Sequence, residues 1–183
     1  MGFAGNQGRF NDVSSEYGYT FVDQEDGVIY NFSEGLGILS SKGMSKWFRE
    51  NLGFNMVEAL DSYGINYTLT DSGNDGIGLT AIFDPNYDRY ILHKADYRPK
   101  DELFYGKFRP RRIDGFMYYN EETLKFTVSG KEIKVGDPEW FDNYSWTISY
   151  SYPDQVWSSF HSYQPSFMYS DINSFYSFNN ARS

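Results

Sequence analysis

The chain of 183 residues contains no cysteine, which excludes disulfide bonds and thiolate metal sites. It has two histidines, so few side chains titrate near neutral pH. No apolar run approaches the roughly 20 residues that a membrane-spanning helix needs, and we expect no membrane span. Basic residues are outnumbered, with 16 Lys and Arg against 25 Asp and Glu, which gives a net charge of -9. An acidic surface repels phosphate, which argues against a general nucleic-acid binder.

Aromatic residues, in contrast, make up 20% of the chain, with 17 Tyr and 16 Phe, and glycine occurs 17 times. Aromatic side chains suit a pleated, half-buried surface, and many short strands with glycine-rich turns are typical of all-β domains. The length predicts one domain and at most two. We expect a flexible N-terminal lead-in over residues 1–16 and a single all-β domain over residues 17–180, with a helical insertion near residues 42–63.

One pattern recurs along the sequence: an aromatic strand, a turn rich in Asp, Pro or Gly, and a second strand. It occurs as "YTFVDQEDGVIYNF", "LTAIFDPNYDRYIL" and "TISYSYPDQVWSSF". Such turns predict hairpins. The expected fold is therefore all-β with one or two short helices, as a β-propeller-like or meander arrangement of antiparallel hairpin blades, complete or incomplete.

The segment "SKGMSKWFRENLGF" is the clearest helical pattern. Its apolar residues at helical spacing are Met44, Trp47, Phe48 and Leu52. Ser41 is the expected N-cap and Gly53 the expected stop, and a second short helix is expected up to Gly64. We interpret the apolar residues of this segment as core.

The C-terminal part of the chain is crowded with rings. In the strand that begins at Trp146, bulky residues alternate with Thr147, Ser149 and Ser151, so the rings are expected to face a core. The residues expected to have structural roles here are Trp146, Tyr150, Trp157, Phe160, His161 and Tyr163. No catalytic residue and no cofactor are expected.

Three chemical alternatives are weighed against this structural interpretation. A Ser-His-Asp triad can be written from Ser159, His161 and Asp154, but residues two apart on a strand share a face without forming a triad. Asp71, Asn74 and Asp75 are interpreted either as a looped calcium site or as a solvated turn. Their spacing does not match that of an EF-hand.

The third alternative is glycan hydrolysis, which needs two acids about 5–10 Å apart. The candidates are Asp84, Asp88, Asp96 and Asp154, all at turns where Asp is favoured for backbone reasons. The positive run Lys107–Arg112 can touch DNA, pair with an acidic neighbour, or form a solvated loop.

Two phrases of the sequence, "IFDPNYDRYILHKADY" and "WTISYSYPDQVWSSFHSYQPSFMYS", together with "GMSKWFREN", resemble the β-propeller tail protein of crAss-like and related podoviruses that infect Bacteroidales. In the first phrase the matching residues are Asp84, Pro85, Tyr87, Arg89, Lys94, Asp96 and Tyr97. In the second phrase they are Thr147, Ser149, Tyr150, Ser151, Trp157, Ser159, Phe160, His161, Ser162, Tyr163 and Pro165. The resemblance covers roughly residues 20–178.

This resemblance implies a virion component, the muzzle or nozzle of a short tail, which is made in the host bacterial cytoplasm. Such proteins are non-enzymatic channel walls through which DNA leaves without sequence-specific binding. The implied partners are other tail proteins and further copies of the same chain. Family members are far longer, so this chain is expected to be a fragment or a shortened relative.

The alternative class of function is a carbohydrate-binding module or a tail-associated glycan hydrolase. Exposed parallel rings in a groove near acids favour the second class, and rings buried between sheets favour the first.

Overall fold

The computed structural model describes residues 10–65, 76–100, 103–106, 117–120, 122–171 and 173–178, with backbone only for residues 103–106. Within these ranges the chain is mainly β-strand with two short α-helices and several antiparallel sheets, which confirms the predicted fold class. Contacts divide the chain into two compact units. The first comprises Met1–Gly53, Thr70–Ala95 and Ser145–Ser183, and the second Phe54–Leu69 and Asp96–Tyr144.

The elements of the first unit are β1 (Val13–Ser15), β2 (Gly18–Asp23), β3 (Val28–Phe32), β4 (Leu36–Ile38), a 3₁₀ turn (Leu39–Ser41), α1 (Ser45–Asn51), β5 (Gly78–Asp84), β6 (Arg89–Ala95), β13 (Trp146–Ser151), β14 (Val156–His161), β15 (Phe167–Asp171) and β16 (Ser174–Phe178). Those of the second unit are α2 (Asn55–Asp61), β7 (Tyr97–Pro99), β8 (Leu103–Gly106), β9 (Met117–Asn120), β10 (Lys125–Val128), β11 (Lys131–Ile133) and β12 (Phe141–Asn143). None of the helices in the described ranges combines the length and the apolarity needed to cross a membrane.

Strands β1 to β4 form an antiparallel meander in chain order. The turn between β2 and β3 is held by Asp23, whose Oδ1 accepts the backbone N–H groups of Glu25 at 3.1 Å and Asp26 at 3.2 Å. Such side-chain-to-backbone bonds are the reason that Asp favours turns. The inward-facing side chains of this sheet include Thr20, Val22 and Ile29, and all three are buried.

The central sheet of the first unit has the order β14–β13–β6–β5, with every pairing antiparallel. It consists of two hairpins, β5–β6 and β13–β14, which are joined through β6 and β13. This sheet is therefore not a blade of four consecutive strands.

Strand β13 is buried on both faces, whereas alternation alone predicted one interior face. Thr147 and Ser149 are as inaccessible as Ile148 and Tyr150. The reason lies in β15: Met168 packs against Ile82 and Ile91, and Ile91 is the cross-strand partner of Ser149. The hairpin β15–β16 thus covers the face that the sequence pattern left open.

Helix α1 begins later than expected. Met44 occupies the N-cap position without a capping side chain, and the Ser41 hydroxyl donates to the Ile38 carbonyl at 2.7 Å. The expectation that Ser41 caps the helix is wrong because Ser41 ends the preceding 3₁₀ turn, and three residues separate it from the first residue of the helix. At the other end of α1, the buried Lys94 ammonium donates to the Asn51 carbonyl at 2.8 Å and to the Gly53 carbonyl.

The second unit contains a four-stranded sheet of order β11–β10–β9–β8, in which β8 and β9 run parallel, and the β7–β12 pair. Its rings pack together: the centroids of Tyr119 and Phe126 lie 4.8 Å apart, and those of Phe126 and Phe141 lie 5.2 Å apart. Gly136 has a φ of +87°, and a Cβ there would approach the Tyr97 ring to 2.8 Å. Glycine is therefore required at this turn.

Candidate functional site

The two phrases that carry the family resemblance supply neighbouring strands of the central sheet. Strand β6 comes from the first phrase, and β13 and β14 come from the second. Tyr150 lies opposite Tyr90, and Thr147 lies opposite His93. Residues far apart in sequence are thus direct neighbours across a strand pair.

One face of this sheet carries an aromatic cluster. The Trp157 ring lies 4.5 Å from the Phe48 ring and 5.2 Å from the Tyr150 ring, measured between centroids. The Trp157 indole N–H donates to the Leu39 carbonyl at 3.0 Å. Trp146 joins the cluster through Trp47, at 4.9 Å. Offset and edge-on ring contacts of this kind stabilise a core, so the cluster holds α1 against the sheet.

Phe160 differs from the other rings of this segment. Its side chain is 59% exposed, although its ring contacts Trp47 at 5.1 Å. Phe160 therefore lies at the margin of the aromatic cluster, where the sheet ends at strand β14.

His161 takes part in a polar network rather than a triad. Its Nε2 shares a hydrogen bond of 3.0 Å with the hydroxyl of Ser149, and its ring contacts that of Tyr163 at 5.1 Å between centroids. Burial, and secondarily the Arg89 guanidinium, lower the pKa of His161. The serine bonded to this imidazole is buried, so it offers a substrate no approach.

His93 is more deeply buried. Its Nδ1 shares a hydrogen bond of 2.8 Å with the hydroxyl of Thr147, which in turn donates to the Tyr163 carbonyl at 2.7 Å. Burial lowers the pKa of His93 to about 4, against the opposing effect of a backbone hydrogen bond with Trp146. The imidazole is neutral at physiological pH and serves to satisfy polar groups inside the sheet.

The Asp84 carboxylate forms hydrogen bonds within the hairpin of β5 and β6. It accepts the backbone N–H of Asn86 at 3.1 Å and the Nε–H of Arg89 at 2.8 Å. The Arg89 guanidinium also lies over the Tyr87 ring, 4.8 Å from its centroid. A carboxylate held by a guanidinium and a backbone N–H in this way stabilises the hairpin.

The other candidate acids also have local partners. Asp154 Oδ2 accepts the Ser151 hydroxyl at 2.7 Å. Asp88 occupies a left-handed position with φ of 47°, where its backbone carbonyl accepts the N–H of Tyr152 at 3.0 Å, and its carboxylate accepts a hydrogen bond from the Tyr17 phenol.

Asp96 belongs to the second unit and caps helix α2. Its carboxylate accepts the N–H of Asn55 at 2.9 Å, the Asn55 side-chain amide at 2.8 Å, and the N–H of Met56 at 3.3 Å. An anion at a helix N-terminus satisfies free N–H groups and complements the helix dipole. The four acids considered for glycan hydrolysis thus have ordinary structural environments.

The calcium candidates Asp71, Asn74 and Asp75 and the basic run Lys107–Arg112 lie outside the described residues. Among the residues that are described, no group of three or more His, Cys, Asp or Glu side chains could hold a metal ion.

The most distinctive surface is the outer side of the hairpin β15–β16, which we name the hairpin face. Its four rings are between 43% and 50% exposed. They are Phe167, Tyr169, Tyr176 and Phe178. On the inner side of the same hairpin, Met168 is buried and Phe175 is partly buried against the central sheet. The hairpin is therefore anchored by one side and presents aromatic rings on the other.

The rings of the hairpin face pack on one another. Tyr169 and Tyr176 are cross-strand partners with centroids 4.9 Å apart and planes 18° apart, and Phe167 lies opposite Phe178. Parallel rings that lay side by side in one plane could not approach so closely, so Tyr169 and Tyr176 overlap face to face. Asp171 is the acidic residue of this face and lies at the turn end.

A second apolar surface, which we name the meander face, lies on the outer side of β2, β3 and β4. Its members are between 37% and 56% exposed. They are Tyr19, Phe32, Leu36 and Ile38. Tyr19, Phe32 and Leu36 form a row across three strands, and Tyr19 also donates its phenol to Asp12 at 2.9 Å.

Sequence reasoning missed both faces. Rings alternate with other residues at Phe167 and Tyr169, and again at Tyr176 and Phe178. Period-2 alternation identifies the residues that share a face without showing which face is covered.

No protein-family model matches the chain, and no curated protein matches it.

Proposed function

We propose that this chain is a structural, non-enzymatic component of a bacteriophage virion, part of the nozzle (muzzle) of a short tail. In this role it contributes to an oligomeric channel wall for DNA exit. The observation that carries a structural role is the pair of exposed apolar faces on the first unit, because large exposed apolar patches are typical of protein contact sites. The environments of His93, His161 and the candidate acids agree with this role, since each group has a partner within the fold.

The assignment to a phage tail rests on the sequence resemblance of the two phrases. Their positions in the structure support it indirectly, because β6 and β13 pair side by side as one structural module. The net charge of -9 also agrees with a conduit, since a like-charged wall does not retain DNA.

The second candidate function is carbohydrate binding, which the exposed tyrosines of the hairpin face favour. Tyrosine rings bind sugars through their flat faces, and here Tyr169 and Tyr176 cover part of each other's faces. The overlap makes the hairpin face better suited to a protein surface, which contacts ring edges as well as faces.

Mass spectrometry and electron microscopy of purified virions test the proposal. We expect the polypeptide to be present in stoichiometric copies and located at the distal end of a short tail. Its absence from the particle would overturn the assignment.

A binding assay separates the two candidate functions. Glycan-array or calorimetric binding that disappears in the Tyr169→Ala variant, with the fold intact, would establish the carbohydrate alternative. Equal and negligible glycan binding by the wild type and by this variant is the result that we expect.

A further inference from the structure

We propose that the meander face binds a basic protein segment, whose Lys and Arg side chains meet the carboxylates around the face while its apolar side chains cover the exposed rings. The inference rests on the proposed function in one respect, namely that the exposed apolar faces are protein contact sites. It adds the chemistry of the partner, which is selected by the charge around the face.

The charge of the meander is of one sign. Residues 10–41, which include all four of its strands, contain six of the chain's 25 Asp and Glu residues and none of its 16 Lys and Arg residues. The six acids are Asp12, Glu16, Asp23, Glu25, Asp26 and Glu34. This segment therefore has a net charge of -6 out of -9 for the whole chain.

Three of these carboxylates border the row formed by Tyr19, Phe32 and Leu36. Glu16 lies in the turn between β1 and β2, and Glu34 lies in the turn between β3 and β4, so both are at the end of the sheet where the row lies. Both residues are exposed. On the β1 side, the Oδ2 atom of Asp12 accepts the Tyr19 phenol at 2.9 Å.

The opposite end of the meander is also acidic. The turn between β2 and β3 carries the exposed residues Glu25 and Asp26. Burial, and then the carboxylates of Asp26 and Asp23, raise the pKa of the Tyr30 phenol. Tyr30 is the cross-strand partner of Ile38, so the negative potential of this turn extends to the meander face.

Cations of this chain leave the bordering carboxylates available. Arg49 of helix α1 lies beside the β2–β3 turn, where a Cβ added to Gly27 would approach the Arg49 Cα to 3.2 Å. At the other end of the sheet, Asp12, Glu16 and Glu34 form no ion pair with any Lys or Arg in the part of the chain that the structure describes. A partner can therefore supply the compensating charge.

This combination of an apolar centre and an acidic border selects a basic partner. Protein interfaces have an apolar centre and a polar rim, and the charges of the two partners are complementary. Lys and Arg suit this face because their aliphatic stems pack on rings while their cationic ends are attracted to ring faces and to carboxylates. A second copy of this chain would bring the same acidic border, and a nucleic acid would bring phosphates, so both would be repelled.

A peptide titration tests the inference, with amide chemical shifts of the full chain measured by NMR. The probe is a short peptide whose alternate residues are Lys, Val, Leu, Val and Lys, with Ser between them, because alternate residues share one face of an extended chain. Two further peptides carry Gln or Glu in place of Lys. Each titration is run at about 50 mM and about 500 mM salt.

Two variants of the chain alter the face, and each has a matched control. Glu16→Lys with Glu34→Lys reverses the border, and Glu122→Lys with Glu139→Lys makes the same change of net charge at exposed sites outside the meander. Phe32→Thr with Leu36→Thr removes the apolar centre while it keeps the strand propensity. Its control is Phe160→Thr, because Phe160 is 59% exposed and lies outside the meander face. Circular dichroism confirms that each variant is folded.

We expect the Lys peptide to shift amides of β2, β3 and β4 and to bind at least tenfold more weakly at the higher salt concentration. Each of the two face variants should bind it at least tenfold more weakly than the wild type, and the two controls should stay within about threefold. The Gln peptide should bind at least tenfold more weakly than the Lys peptide, and the Glu peptide should not bind.

The inference would be overturned by a Lys peptide that does not bind at about 1 mM or that shifts amides outside the meander. Equal binding of the Lys and Gln peptides would show an apolar contact without charge selection. An equal loss in the two charge-reversal variants would show an effect of net charge alone. None of these results decides whether the polypeptide is present in virions, so the inference and the proposed function fail separately.

Discussion

Replacement of Trp157 by alanine removes the ring at the centre of the aromatic cluster. Its indole packs against Phe48 at 4.5 Å and Tyr150 at 5.2 Å, and its N–H donates to the Leu39 carbonyl at 3.0 Å. Truncation of a core Trp to Ala costs about 3–5 kcal/mol. Because Trp157 is not fully buried, we expect about 3–4 kcal/mol, including the unpaired carbonyl.

The assay is urea denaturation followed by circular dichroism, with the m-value compared between variants to check that each unfolds in the same two-state manner. Trp157→Phe keeps most of the packing and removes the N–H, so it should cost about 1–2 kcal/mol. Phe160→Ala on the same strand should cost about 1 kcal/mol or less, because that ring is 59% exposed. If Trp157→Ala and Phe160→Ala were equally mild, the aromatic cluster would not be the core that we describe.

Three further predictions concern buried ionisable groups. Burial lowers the pKa of His93 from 6.5 to about 4, so the unfolded chain takes up the proton first, and about 3 kcal/mol of stability is lost as the pH falls from 6.5 to 4. His93→Asn, which can still bond through the position of Nδ1, should flatten that pH dependence in urea titrations; an unchanged slope would contradict the assignment to His93. Lys94→Met leaves two carbonyls at the end of α1 without a donor and should lower the free energy of unfolding by about 2 kcal/mol. The exposed control Lys46→Met should change it by about 0.5 kcal/mol or less, and equal effects in the two variants would refute the buried role of Lys94. Asp96→Ala removes the cap of α2 and should cost about 1–2 kcal/mol, with Asp96→Asn intermediate; hydrogen exchange at the start of α2 measures it, and unchanged protection would contradict it.

Local chemistry made several elements predictable. The hairpin predicted from "LTAIFDPNYDRYIL" is found as strands β5 and β6. The turn between them is stabilised by the Asp84 carboxylate, which accepts the backbone N–H of Asn86. This contact spans two residues, so it can be predicted from the local sequence. The start of α1 was missed because the competing 3₁₀ turn depends on where the preceding strand places the backbone.

The candidate surfaces were less predictable than the strands that carry them. The sequence showed rings alternating on β13 and on β15, yet Tyr150 is buried and Tyr169 is exposed. The difference arises because β13 is a central strand with a layer on each side, whereas β15 belongs to a two-stranded hairpin covered on one side. The pairing of β6 with β13 is equally invisible in a local pattern, since it joins distant segments.

By itself, the sequence determined the all-β class, the hairpin turns, the approximate helical region and the acidic charge, because these depend on backbone preferences and composition over short ranges. Only the tertiary structure decided which rings form the aromatic cluster and which form the hairpin and meander faces. It also decided that His161 bonds Ser149 rather than completing a triad. The burial and the hydrogen-bond partners of a side chain depend on which elements pack over its strand. Which elements pack there depends on the whole chain.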